Sequence, residues 1–341
     1  MNPFAYSRAR DSESALANVA RGGRFIAGGT NLLDLMKENL VRPPHLVDIN
    51  SLPLADIEAL ADGSVRLGAL ARNATTAYHP LVRDRLPVLS SAILAGASPQ
   101  IRNMASNGGN LLQRTRCYYF YDAGVPCNKR EPGSGCPAIK GLARQHAILG
   151  ASEACIATHP SDMCVALAAL EAVVHVRSAR GKREIPFTDF HRLPGDTPQI
   201  DTTLAGDELI EHIVVPPSDQ YAGHSVYLKL RERQSYAFAL VSVAAMLDLD
   251  ADGRVRNVRV AVGGVAHKPW RDPKAESVLV GQRPERSAFE RVAACLLQGA
   301  RTHGVGVGSN AFKVPLAQRA VVRALETALG GTVRNTGENL Q

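Results

Sequence analysis

The sequence lacks the features of several protein classes. It has no run of 18 uncharged apolar residues, so no helix is expected to span a membrane. Residues 1–10 contain no apolar signal-peptide core, so we expect no secretion signal in this chain. Aromatic residues make up only 5% of the sequence, and no tract of five or more Lys or Arg occurs, although the net charge is +7. A nucleic-acid groove needs clustered basic residues and stacking rings, so nucleic-acid binding is not expected.

Motifs for substrate chemistry are also missing. The sequence contains no H-E-x-x-H, no G-x-S-x-G and no phosphate-binding G-x-x-x-x-G-K-S/T. His146, His159 and His267 have no second ligand or base at motif spacing, so a structural role is the simpler interpretation for each. We therefore expect no site for substrate chemistry in this chain.

The chain is long enough for two or three domains. It has 341 residues, of which 45% are hydrophobic. Apolar periodicity predicts an α+β chain with a boundary near residue 218, after Pro216-Pro217. The predicted helices span 11–20, 86–97, 161–170, 286–302 and 313–329, and one more follows residue 31. The predicted strands span 24–27, 46–49, 65–70, 172–177, 208–215, 226–230, 239–249 and 255–262, whereas 98–160 is expected to be irregular and 330–341 a flexible tail.

A glycine pair follows the first buried strand. In Phe25–Leu32, two glycines end an apolar run and precede a helical pattern. Glycines let a backbone approach a ligand closely, and the amides of such a turn with the helix start can bind phosphate. A Gly-Gly turn between a strand and a helix is common without any ligand, and the Rossmann fingerprint is absent, so this turn alone does not decide between the two readings.

A second glycine pair lies in a polar segment. Ser98–Asn103 is followed by Ser106–Asn110, which again combines glycines, a hydroxyl and amides. Two such loops in one domain could bind both phosphates of a pyrophosphate.

Four of the six cysteines fall within 39 residues, in the pattern C-x9-C-x8-C-x18-C. Zinc sites usually use C-x-x-C pairs, which are absent, whereas single, widely spaced cysteines suit an iron–sulfur cluster held by loops. Two disulfides and a zinc site remain the alternatives. Cys164 and Cys295 lie in apolar helical patterns and are expected in the core. The four clustered cysteines are Cys117, Cys127, Cys136 and Cys155.

Two charged residues are further candidates. Asp162 follows Ser161 at a predicted helix start, where a carboxylate either caps backbone amides or bonds a cofactor. Lys229 lies in a predicted strand and either faces solvent or a cofactor ring.

The ordered motifs resemble the FAD-binding medium subunit of molybdenum hydroxylases, the xanthine dehydrogenase and carbon monoxide dehydrogenase family. The resemblance rests on Phe25–Leu33, on Ser98–Asn103 through Gly108–Leu111, on Ser161–Met163 and on Asn257–Trp270, and it covers residues 3 to 328. It implies a p-cresol methylhydroxylase/vanillyl-alcohol oxidase-type FAD-binding domain at 1–218 and a carbon monoxide dehydrogenase flavoprotein-type C-terminal α+β domain at 219–329. The implied FAD contacts are Phe25, Ile26, Ala27, Gly28, Gly29, Thr30, Asn31, Leu32, Ile101, Ser106, Gly109, Asn110, Asp162, Ile210 and Lys229.

The cysteine segment is similar to one branch of this family, the periplasmic bacterial aldehyde oxidoreductases. Their flavin subunit carries an extra 4Fe-4S cluster, which implies an insertion at 112–156 with the four clustered cysteines as ligands. Many relatives carry an Asp near the flavin where this chain has Ser235-Tyr236-Ala237-Phe238. We therefore expect that the properties of the flavin and the choice of electron acceptor can differ from those of the relatives.

The resemblance also implies partners. A small subunit with two 2Fe-2S clusters and a large molybdenum-cofactor subunit would form a heterotrimer, or a dimer of it, with this chain. This chain would pass electrons to an external acceptor. Export on a partner's twin-arginine signal would place it in the periplasm, and otherwise it would stay in the cytoplasm. The alternative is a non-redox structural module, or an interaction module stapled by zinc or disulfides.

Overall fold

The computed structural model describes residues 1–234 and 236–332, which form three sheets. The strands are β1 (Ala5–Arg8), β2 (Arg24–Ile26), β3 (His45–Asp48), β4 (Ile57–Ala59), β5 (Val65–Gly68), β6 (Val173–Ser178), β7 (Gly181–Pro186), β8 (Leu209–Val215), β9 (Ser225–Leu230), β10 (Val241–Leu249), β11 (Val255–Gly263) and β12 (Trp270–Arg271). The first sheet is parallel and has the order β1-β3-β2. The second sheet has the order β4-β5-β8-β6-β7 and the third has the order β12-β11-β10-β9, and both are antiparallel.

Helices cover these sheets, and short helices connect them. None in the described part of the chain is long and apolar enough to cross a bilayer. The helices are α1 (Ser12–Ala20), α2 (Leu32–Lys37), α3 (Asn73–Tyr78), α4 (Pro80–Arg85), α5 (Pro87–Ala95), α6 (Pro99–Met104), α7 (Asn107–Leu111), α8 (Tyr118–Tyr121), α9 (Asp162–Ala169), α10 (Phe187–Phe190), α11 (Pro273–Ser277), α12 (Arg286–Leu296) and α13 (Lys313–Leu329).

Helix α9 is buried in the core. All eight of its residues are buried, because it packs against α5 on one side and against β10 and β11 of the third sheet on another. Its apolar residues join one core that also includes Met246 of β10 and Ala261 of β11. A second core lies on the other face of the third sheet, under α12 and α13. The start of α9 is therefore fixed from several sides, which matters for Asp162.

Several predicted elements differ from the structure. The segment 98–160, predicted to be irregular, contains α6, α7 and α8. Helices α6 and α7 form because Ser98 and Ser106 accept hydrogen bonds from backbone amides three residues later. The helix predicted over 286–302 ends at Leu296, before Gly299, whose φ of +79° is outside the helical range.

The C-terminal end is described as far as Thr332. The Thr332 side chain donates a hydrogen bond to the carbonyl of Ala222 at 2.6 Å and accepts one from the amide of Ser225 at 3.0 Å. The rest of the predicted flexible tail, 333–341, lies outside the described residues.

Candidate functional site

A cavity of about 650 Å³ opens between the starts of α2 and α9, helices α5 to α7 and strand β9. This volume is in the usual range for a small-molecule or cofactor site. Polar groups from distant parts of the sequence converge on it. Six of the predicted cofactor contacts line the cavity: Thr30, Asn31, Ile101, Asn110, Asp162 and Lys229.

The first glycine turn is packed tightly against the segment that holds the second. A Cβ on Gly28 would lie 1.9 Å from the carbonyl oxygen of Met104, at the end of α6. Gly29 has a φ of +74°, which favours glycine. The Asn31 side chain donates a hydrogen bond of 2.9 Å to the carbonyl of Gly109. The structure thus brings the two loops together, and Gly28 is needed for contact between them rather than only for space beside a ligand.

The second loop is fixed by a chain of side-chain amides. Asn110 donates to Asn73 Oδ1 at 2.7 Å and accepts from Ser161 Oγ at 2.5 Å. Ser161 Oγ in turn accepts from the amide of Cys164 and caps α9. The loop and the helix start are therefore held at one wall of the cavity.

Asp162 and Lys229 form a buried ion pair at that wall. Lys229 Nζ lies 2.8 Å from Asp162 Oδ2 and donates to the Ala95 carbonyl at 3.0 Å, and Tyr227 Oη donates to Asp162 Oδ1 at 2.6 Å. The side chain of Lys229 is only 6% exposed and that of Asp162 only 8%, so the alternative that Lys229 faces solvent is wrong. Burial and the neighbouring Asp162 carboxylate raise the pKa of Tyr227 well above its usual value, so Tyr227 remains a hydrogen-bond donor.

The remaining predicted contacts are not among the residues that line the cavity. Ile210 lies in β8 within the central core. Ser106 caps α7 by accepting a hydrogen bond of 3.3 Å from the amide of Gly109. The others occupy the first glycine turn and its flanks: Phe25, Ile26, Ala27, Gly28, Gly29 and Leu32.

Three arginines line the cavity and were not predicted as cofactor contacts: Arg102, Arg116 and Arg233. Arg102 is buried and donates to the carbonyls of Leu94, Gly96 and Ala97, which shapes the end of α5. Arg116 bonds Asp34 Oδ2 at 2.9 Å, and its guanidinium lies 5.2 Å from the centre of the Phe238 ring. Only the position of Arg116 next to Cys117 could have suggested it from the sequence.

The four clustered cysteines line one pocket, together with Thr115, Tyr119, Phe120, Lys129 and His146. All six cysteines of the chain are free thiols. In the described chain, no three of the four clustered sulfur atoms lie within 4.8 Å of one another. A tetrahedral zinc ion would hold its sulfur ligands about 3.8 Å apart, given bonds of about 2.3 Å. The four thiols are therefore not preorganised around a single zinc ion, although Cys136 and Cys155 lie within hydrogen-bonding distance of each other.

Polar bonds rather than regular structure hold the segment around this pocket. Asn128 donates to the Ala154 carbonyl at 2.9 Å and accepts from the Gly135 amide at 2.7 Å. Lys129 is 3% exposed and pairs with Asp201, which also pairs with Arg114 at 2.7 Å. The segment is thereby tied to the loop that follows α10.

Burial disfavours the charged forms of the Cys117 thiol and the His146 imidazole in this pocket. Burial raises the pKa of Cys117 to about 12. Burial and then the Lys313 charge lower the pKa of His146 to about 4, so this imidazole is neutral. Thiols in such a pocket lose their protons when a metal supplies positive charge.

A small cavity separates the two sites. Its lining includes Arg116, Asp162 and Phe238, which also line the large cavity, and Cys117 and His146, which also line the cysteine pocket. The two sites are therefore neighbours within one structure.

Comparison with known proteins agrees with this geometry. Residues 2–218 match the FAD-binding domain of molybdopterin dehydrogenases, and residues 226–328 match the carbon monoxide dehydrogenase flavoprotein C-terminal domain. The chain is a member of the FAD-binding subunits of the xanthine dehydrogenase and carbon monoxide dehydrogenase family. Members of this family are subunits of oxidoreductases, and FAD is the cofactor of the matched domain.

The similarity extends over nearly the whole chain. The chain is 49% identical to the aldehyde oxidoreductase FAD-binding subunit PaoB of Escherichia coli, over 96% of this chain and 99% of that protein. It is 29% identical to the nicotine 6-hydroxylase medium subunit of Paenarthrobacter nicotinovorans, over 91% and 92%. Carbon monoxide dehydrogenase from Oligotropha carboxidovorans has the same fold, with a TM-score of 0.76 at 22% identity over 97% and 99%. The predicted fold class is confirmed.

Proposed function

We propose that this chain is the electron-transfer subunit of a molybdenum-dependent aldehyde oxidoreductase, with FAD in the large cavity and a 4Fe-4S cluster on the four clustered cysteines. The observation that carries the proposal is the adjacency of the two sites. Four buried or half-buried thiols line one pocket, and one small cavity separates it from the flavin site. The relative at 49% identity is an aldehyde oxidoreductase FAD-binding subunit.

The residues at the large cavity fit a flavin nucleotide. The loops at 26–32 and 106–110 lie together and would hold the pyrophosphate. Asp162 and Lys229 form a fixed, paired donor and acceptor set at the wall for the flavin or its ribityl chain. No His or Cys occurs in residues 20–34 for covalent attachment there, so we propose that FAD binds non-covalently.

The cysteine pocket fits an iron–sulfur cluster by its donor set, since four cysteines line it. When bound, FAD and the cluster would supply electron transfer in steps of one or two electrons. The protein provides the thiolates, excludes water with Phe120 and Tyr119, and encloses the site with Lys129 and His146.

An assay of the purified full-length chain tests the proposal. We expect one FAD, released by denaturation, and about four irons with matching acid-labile sulfide, the count that a four-iron cluster requires. Zinc in place of iron would favour an interaction module, and oxidised, metal-free cysteines would favour a structural one. About two irons, or flavin that stays attached to the protein after denaturation, would also contradict the proposal.

We further propose that substrate oxidation occurs on a large molybdenum-cofactor subunit and that a small subunit with two 2Fe-2S clusters connects it to this chain. This chain would then deliver electrons to an external acceptor. Purification from the native source by a tag on this chain should recover molybdenum and additional iron in the same complex. The compartment would follow the export signal of a partner, and fractionation of the native cells would show whether the complex is periplasmic. Recovery of the chain alone would contradict the proposed assembly.

A further inference from the structure

We propose that His146 is a positioning residue that donates a hydrogen bond to the thiolate of Cys117 and thereby raises the reduction potential of the bound cluster. This inference rests on the proposed function, because it needs Cys117 to be a ligand. The ring Nε2 of His146 lies 3.0 Å from Cys117 Sγ.

The direction of this hydrogen bond follows from the chemistry of the ligand. A cysteine that binds iron is a thiolate, which carries no proton and can only accept. The proton must then be on Nε2 of His146, and the ring donates it to sulfur. In the described part of the chain, Nδ1 of His146 makes no hydrogen bond of normal geometry, although the backbone carbonyl of Ala143 interacts with the ring.

The position of His146 is fixed by the C-terminal half of the chain. Its carbonyl accepts hydrogen bonds from Lys313 Nζ at 2.9 Å and from Asn310 Nδ2 at 3.3 Å. Both donors are completely buried, and His146 itself is only 2% exposed. The rings of Tyr118 and Tyr119 lie 6.2 Å from the imidazole. The ring is therefore held against the sulfur rather than free to turn to solvent.

The effect on the potential has a definite sign. Reduction adds negative charge to the cluster and its ligands, and an N–H donor to sulfur stabilises the reduced form more than the oxidised form. Loss of the donor should therefore lower the potential. His146 also lines the small cavity between the cysteine pocket and the large cavity.

Three variants of the full-length chain, loaded with FAD and iron, test this. His146→Phe removes the donor, and His146→Gln keeps an N–H at a similar reach. His267→Phe is the matched control, since His267 is buried and neither of its ring nitrogens has a partner among the described residues. The midpoint potential is measured by redox titration followed by electron paramagnetic resonance.

We expect His146→Phe to shift the reduction equilibrium about tenfold, which is about 59 mV lower for a one-electron couple. His146→Gln should stay near the unchanged protein, and His267→Phe should not shift. An unchanged potential in His146→Phe with four irons bound would overturn the inference and leave the proposed function intact. Absence of iron in the unchanged protein would instead overturn the proposed function.

A second measurement covers the case in which His146→Phe cannot hold iron. With ¹⁵N-labelled histidine, pulsed electron paramagnetic resonance of the reduced, unchanged protein should detect a coupled imidazole nitrogen. That coupling should vanish in His146→Gln. A spectrum without imidazole coupling, or one that His146→Gln leaves unaltered, would overturn the inference.

Discussion

The flavin cavity and the cysteine pocket lie side by side but are built in different ways. Ends of helices and strands make much of the wall of the cavity, and backbone hydrogen bonds within those elements help to hold it. Residues between β9 and β10, together with Gln113, Arg116 and Gln145 of the cysteine segment, complete the wall. The segment 112–156 contains only the four-residue helix α8 and one turn of 3-10 helix at Pro137–Ile139. Its residues contribute to small apolar clusters around Phe120 and Ile156, and Ile148 and Leu149 near its end join the core under α12 and α13. The rest of the segment depends on single polar bonds. We infer that the cavity keeps its shape without a ligand, whereas the cysteine segment needs its cluster.

The strongest test of this difference is removal of one cluster ligand. Cys127→Ala should abolish iron binding and expose 112–156 to limited proteolysis, because three thiolates and few apolar contacts remain to order the segment. The flavin content should stay near one per chain, since most residues that line the cavity lie outside this segment. The readouts are iron, flavin and the proteolytic pattern.

Cys295→Ala serves as its control, because Cys295 lies in α12, remote in sequence from the pocket. Equal iron in both variants would show that Cys127 is not a ligand. Loss of flavin together with iron would show that the two sites are one folding unit and that the cavity does not keep its shape independently of the cysteine segment.

The next test acts on the cavity alone. Gly28→Val should lower the FAD content about tenfold or more, which requires a loss of only about 1.4 kcal/mol in binding. The side chain would collide with the Met104 carbonyl and push the two loops apart. Iron content should be unaffected. Gly206→Ala is the matched control, since no atom lies within 4 Å of a Cβ placed there. Normal flavin in Gly28→Val would contradict the packing argument.

A third test concerns the ion pair at the cavity wall. Lys229→Met should lower the free energy of unfolding by about 3–5 kcal/mol, because it leaves the buried Asp162 carboxylate without its cation. Denaturant unfolding of the chain measures this. Arg180→Met, which breaks an exposed pair with Asp207, should leave the free energy of unfolding nearly unchanged, because solvent screens that pair. Similar losses in both variants would mean that burial of the first pair is unimportant.

The sequence predicts much of the cavity but little of its internal contacts. Both glycine pairs and the helix at 313–329 are recognisable from local patterns, and α13 has those same bounds. The pairing of Asp162 with Lys229 is not, because 67 residues separate them and periodicity carries no information on distant partners. Strands β1, β4, β7 and β12 were not predicted, because they are short or largely exposed and lack alternating apolar residues. In each case the deciding interaction is tertiary.

Acid should destabilise the region around the cysteine segment. Burial lowers the pKa of His191 to about 4 and of His267 to about 3, below the ordinary value of 6.5. Above pH 6.5 both states of the protein leave these rings neutral. As the pH falls from 6.5 toward 4, only the unfolded state takes up protons, so stability is lost by about 1.4 kcal/mol per pH unit for each ring.

Unfolding at pH 7 and pH 5 should show this loss, and His191→Gln should reduce the pH dependence by the share of one histidine. The same slope in His191→Gln and in the unchanged chain would contradict the assignment. Equal stability of the unchanged protein at both pH values would contradict the prediction that His191 and His267 destabilise the folded state in acid.

The smallest effects are expected at the two cysteines outside the cluster. Cys164 is completely buried in α9, and Cys295 is half-buried against the core under α12 and α13. Replacement of Cys164 by Ala should cost about 1–2 kcal/mol of stability through lost packing, and replacement of Cys295 less, with iron unchanged in both. Metal analysis and thermal unfolding decide this. Iron loss in Cys164→Ala would mean that Cys164 replaces one of the four proposed ligands. Loss of a different metal would mean that Cys164 binds it with His159 and His191, whose donor atoms all lie within 4.8 Å of its sulfur and of one another.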